Sequence, residues 1–115
     1  MNSYFEIELL PDAVDFLDNL DDKTREKIYY NARKSQFIMD RGLFKKLNEH
    51  IWEFRTLYNN KSYRLFAFWD NTTGKHTLVV ATHGILKKTQ KTPVKEIQKA
   101  EEIRRLYFEN KNKLQ

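Results

Sequence analysis

Hydrophobic positions change period several times along the chain, and each change marks an element. In SYFEIELL, Phe5, Ile7 and Leu9 alternate with Tyr4, Glu6 and Glu8, the period of a strand with one wet face. Pro11 stops this run and, with Asp12, suits the first turn of a helix whose Ala13, Leu17 and Leu20 recur at helical spacing. Asp21 and Asp22 can cap a second helix, KTREKIYYNARKSQFIM. Its Ile28, Ala32 and Met39 share a face, with Phe37 and Ile38 beside them, and Gly42 ends it. The two form a helical hairpin.

GLFKKLNEH fits a loop, a short helix or the lead into a strand. Three strand-like runs follow, IWEFRTLY, SYRLFAFWD and HTLVVATHG. Asn59-Asn60-Lys61 and Asn71-Thr72-Thr73-Gly74 separate them, both turn compositions of hairpin length, so the runs form an antiparallel meander. In the last segment Thr92 is the expected N-cap and Pro93 the first helical residue, with Ile97, Ala100, Ile103 and Tyr107 at helical spacing; the Lys-rich KNKLQ is expected to fray. The order β-α-α-β-β-β-α predicts one α+β domain over 1–115, a twisted antiparallel sheet with its helices packed on one face.

Composition narrows the chemistry. At 115 residues the chain can bury roughly two-thirds of its unfolded surface, enough for a core without cross-links. Cysteine is absent, which excludes disulfides, thiolate metal sites and a cysteine nucleophile. The first residues lack a basic, long apolar leader, and no run approaches about 18 apolar residues, so a soluble, cytoplasmic protein without membrane contact is expected. Twenty-one Lys and Arg against 16 Asp and Glu give a net charge of +5. The distribution is uneven: residues 1–22 carry seven acids and no basic side chain, and the excess positive charge gathers between Arg41 and Lys95. One basic surface facing a polyanion fits this asymmetry.

The candidate chemistry lies in that centre. Lys87, Lys88, Lys91 and Lys95 fall within nine positions, after an apolar strand and before the Pro-initiated helix, where side chains are held firmly yet stay wet. Arg55 and Arg64 sit on neighbouring strands, and alternation puts Glu53 on the face of Arg55, with Trp52 and Phe54 facing the core. A solvated ion pair and an ordinary solvated loop are the bland readings of these charges. His83 is read as a backbone partner at a strand end, with general base as the alternative. Tyr63, beside Arg64, is the aromatic most suited to stacking on a base, whereas Trp52 and Trp69 are expected to pack under the sheet. His50 and His76 fall at strand starts, and the three histidines show no metal-ligand spacing.

At IWEFR, YRLF, HGILKKTQKTP and EIQKA the chain closely resembles the RelE superfamily toxins of type II toxin–antitoxin systems, in their HigB-like, phage Gp49-like branch. The matching pattern is apolar-Trp-Glu-apolar-Arg, then Tyr-Arg, then His-Gly-apolar-x-Lys-Lys-Thr-x-Lys-Thr-Pro-x-x-Glu-Ile. It runs from about Phe44 to Tyr107; the preceding strand and helices agree only in order and type. The resemblance implies a small α+β fold with a concave basic sheet face, and metal-independent and cofactor-free cleavage of messenger RNA in the ribosomal A site. It also implies inhibition by a helix-turn-helix antitoxin, through which alone the toxin meets DNA. On this reading Arg55 and Arg64 stabilise charge gathering on phosphorus. Lys87, Lys88 and Lys91 bind phosphate or move protons, and Glu53, Tyr63, His83 and Lys95 contact substrate. A non-catalytic RNA- or ribosome-binding module using the same basic face is the alternative.

Overall fold

In the computed structural model, which describes residues 3–72, 74 and 77–113, five strands form one mixed sheet in the order β1-β5-β4-β3-β2. The strands are β1 (Glu6–Leu9), β2 (Phe44–Lys46), β3 (Trp52–Tyr58), β4 (Lys61–Asp70) and β5 (Leu78–Lys87). Helices α1 (Pro11–Asp18) and α2 (Asp22–Ser35) separate β1 from β2, and α3 (Val94–Lys113) follows β5. The α+β class holds. The antiparallel expectation holds for β2 to β5, whereas β1 lies parallel to β5, a pairing that a long connection through α1, α2 and β2 to β4 allows.

Helices cover both faces rather than one. Phe54, Leu65, Ala67, Val79 and Ala81 pack with Ala13, Leu17, Ile28 and Ala32 of α1 and α2. On the reverse, Phe66, Phe68 and Val80 pack with Ala100 of α3 and the partly buried Ile97, Tyr107 and Phe108. Both faces of β4 and β5 are therefore apolar near their α3-covered ends. This gives β4 the near-continuous burial that alternation alone does not predict.

Local chemistry explains most boundaries. Asp21 caps α2, accepting from the Thr24 backbone N–H, and Asn59 and Asn60 take φ of 51° and 61°, the paired left-handed residues of a two-residue hairpin. Gly84 is required by contact: a Cβ there would stand 2.3 Å from Phe16 of α1. A bulge between Phe66 and Ala67 adds Thr82 to β5 and resets the alternation, so Ala81 faces α1 while His83 faces α3.

Other boundaries differ. Helix α2 ends at Ser35, well before Gly42; Gln36 and Phe37 turn the chain, Ile38 and Met39 follow in irregular backbone, and Met39 is 78% exposed instead of facing the core. Helix α3 begins one residue later than expected, with the Pro93 carbonyl accepting from the Glu96 and Ile97 N–H groups. It runs through Lys113, because the Tyr107 hydroxyl and Lys111 ammonium both bond Asp70 Oδ2 at 2.6 Å. His50 is exposed, and His76 lies outside the described residues.

Candidate nucleic-acid interface

Helix α3 covers only part of its sheet face. Beyond its N-terminal end, register aligns Glu53 with Phe66 and His83, then Arg55 with Arg64 and Ile85, then Leu57 with Ser62 and Lys87. Two arginines directly opposite each other repel unless a counter-charge lies between them. Glu53, 2% exposed, supplies it: its Oε2 is 3.6 Å from Arg55 Nε and its Oε1 3.4 Å from Arg64 Nε. The shared face of Glu53 and Arg55 follows from alternation, as expected.

One carboxylate cannot neutralise two guanidinia. Arg64 donates from Nη1 to the Tyr63 carbonyl at 3.0 Å, and Arg55 from Nη1 to the Arg41 carbonyl at 3.3 Å. Both Nε atoms are buried without a hydrogen-bond partner among the described residues, since their distances to Glu53 exceed good hydrogen-bond geometry. The result is a clamped pair of forks with unspent positive charge. Burial draws the Arg64 pKa down, Glu53 opposing and Arg55 adding to it, yet a guanidinium remains charged in a protein.

These arginines line an open cavity of about 480 Å³ with Ser62, Lys87, Lys88, Thr89 and Gln90. Burial lowers the Lys87 pKa first; Arg64, Arg55 and Lys45 act in the same direction and Glu53 against it. Among the described residues the cavity lining contains no carboxylate or imidazole, and Lys87 and Lys88 are its titratable groups besides the arginines. Such a pocket can hold a phosphate between planar forks and place an ammonium beside it.

The structure thus brings Arg55, Arg64, Lys87 and Lys88 together. Lys91 and Lys95 are exposed and outside the lining; the Thr89 hydroxyl closes the loop on the Lys91 carbonyl at 2.8 Å. Tyr63 does not fit the stacking role: it is 7% exposed and belongs to the core on the opposite face, because successive residues of β4 alternate. His83, 2% exposed, stacks on Phe66, with Nδ1 2.9 Å from the Thr82 hydroxyl and Nε2 3.3 Å from Glu96. Its partners are side chains rather than the expected backbone, and its burial keeps it from a substrate. Glu53 is likewise a buried positioning residue beneath the arginines.

Three participants were missed. Ser62 is polar and short, and only register places it beside Lys87. Lys45 enters through β2, which the sequence left undefined, and pairs across from Glu53. Thr92, expected as a helix cap, instead donates its hydroxyl to Glu53 Oε1 at 3.2 Å. With the His83–Glu96 contact, it fastens the start of α3 to the floor of the site.

The family described as Phage derived protein Gp49-like (DUF891) matches residues 15–105. The chain belongs to this family. Gp49-like proteins are a RelE-like toxin family, so membership is consistent with a toxin of a toxin–antitoxin system and implies an antitoxin partner. None of the curated proteins matches the chain. Among the described residues of this Gp49-like protein, no helix is long and apolar enough to cross a membrane.

Proposed function

We propose that this Gp49-like protein is the toxin of a type II toxin–antitoxin system, of the HigB-like branch, and cleaves messenger RNA in the ribosomal A site of the cytoplasm. The single observation supporting it best is the pair Arg55 and Arg64 clamped on buried Glu53 at the wall of a cavity that also holds Lys87. Metal-independent cleavage needs the 2′-oxygen to form a bond to phosphorus as the bond to the 5′-oxygen breaks, leaving a cyclic phosphate. The 2′-hydroxyl proton must leave, and the 5′-oxygen must gain one. Arg55 and Arg64 grip the non-bridging oxygens and offset their growing charge. Lys87, with its lowered pKa, serves the leaving oxygen, and Lys88 binds the neighbouring phosphate. Lys91 and Lys95, outside the cavity, strengthen the positive field toward the strand.

A helix-turn-helix antitoxin restrains the protein and carries it to DNA. The test is induction without that partner, followed by primer-extension mapping of transcripts. Growth arrest with new cut ends inside reading frames supports the proposal; arrest with intact messages overturns cleavage.

A lining of Arg, Lys, Ser, Thr and Gln side chains among the described residues favours a second reading, a module that grips RNA or the ribosome without cutting. It predicts salt-sensitive binding and no cut ends.

A further inference from the structure

On the sheet face away from the arginines, a cleft of about 290 Å³ opens between the turn after α2 and the sheet. Its floor is aromatic: Phe44 stacks on Trp52 with ring centres 4.8 Å apart, and Trp52 meets Trp69 edge-on at 5.6 Å. Both tryptophans of the chain line it. Ile38 and Met39 form one wall and are 48% and 78% exposed. Apolar side chains left uncovered around an aromatic floor mark a contact surface, and methionine adapts readily to an incoming shape.

A second, independent feature points the same way. Trp69 Nε1 is buried and has no hydrogen-bond partner among the described residues. An indole N–H only donates, so this donor awaits an acceptor that none of the described residues supplies. At the mouth, Arg41 and Lys46 are exposed cations, whereas Asp40 turns its Oδ1 back onto the Gly42 N–H at 2.7 Å. The cleft is therefore complementary to an apolar side chain flanked by a carboxylate.

We propose that this cleft is the seat of the antitoxin, which inserts such a segment here and leaves the basic face uncovered. The inference rests on the toxin–antitoxin reading and adds the docking surface and its chemistry. The turn that the partner would grip also holds the site, since the Arg41 carbonyl accepts from Arg55.

The experiment uses the full chain and the protein encoded by the adjacent reading frame. Titration is followed by intrinsic tryptophan emission and repeated with Met39→Glu, Trp69→Phe and Lys88→Ala. The expected result is a blue shift on binding and at least tenfold weaker binding for the first two variants. Lys88→Ala binds as the parent does, and Met39→Glu expressed alone still arrests growth. A complex without an emission change, unaffected by Met39→Glu or Trp69→Phe but weakened by Lys88→Ala, overturns the cleft in favour of the basic face. Failure of the two proteins to associate overturns both the docking surface and the partner assignment. Association through the cleft without cut transcripts overturns catalysis alone.

Discussion

Arg64 shows how a residue's role depends on what holds it. Its side chain is nearly buried, fixed by Glu53 and the Tyr63 carbonyl, and lines the cavity beside Lys87. Replacing it with alanine should lower cleavage by about two to three powers of ten, measured as the rate of cut-end formation on programmed ribosomes. Arg64→Lys should not restore the rate, because one point charge cannot reproduce the fork between Glu53 and a phosphate. His83 illustrates the opposite case, a titratable group that acts on stability. Burial lowers its pKa from 6.5, with Lys99 adding to this and Glu96 opposing. The unfolded chain therefore takes up the proton first. Stability is full above pH 6.5 and falls as the pH drops from there toward the folded pKa. His83→Gln should flatten that part of the pH profile in denaturant titrations.

Elements here are terminated by local chemistry but placed by contacts. The β3–β4 hairpin needs left-handed backbone at both Asn59 and Asn60. Asn60→Val should destabilise the fold by about 1–2 kcal/mol, and Asn60→Gly should be close to neutral, read from thermal unfolding. The far end of α3 depends on Asp70. Burial raises that carboxyl's pKa, but hydrogen bonds from Lys111, Thr72 and Tyr107 outweigh it and hold the group well below the carboxylate range. Asp70→Ala should cost about 3 kcal/mol and loosen the last turns of α3, seen as faster amide exchange there. The β3–β4 turn and the start of α1 at Pro11 were legible because they depend on a few neighbouring residues, whereas Thr73 of the second expected turn lies outside the described residues. The ends of α2 and α3 were not: α2 stops where Gln36 bonds the Phe5 carbonyl, and α3 persists because of an aspartate 41 positions from Lys111.

The whole molecule separates its two surfaces by the thickness of a sheet. Arg55, Arg64, Lys87 and Lys88 gather on one face, and the aromatic cleft opens on the other. Binding of single-stranded RNA should weaken with salt at a slope of about −3, roughly −0.7 for each of four phosphates, and Lys88→Ala should remove about one such increment. Filter binding across a salt series measures this.

The sequence by itself determined the α+β class, the meander, the family pattern and the shared face of Glu53 and Arg55, since these follow from period, turn residues and local spacing. It also singled out Lys87 and Lys88. Only the tertiary structure decided that helices cover both faces, that Tyr63 points away from Arg64, and that Lys91 and Lys95 stand outside the cavity. It also brought in Ser62, Lys45 and Thr92 and left Met39 uncovered. The physical reason is that periodicity states which residues share a side of one element, whereas cross-strand register and helix packing state which sides meet.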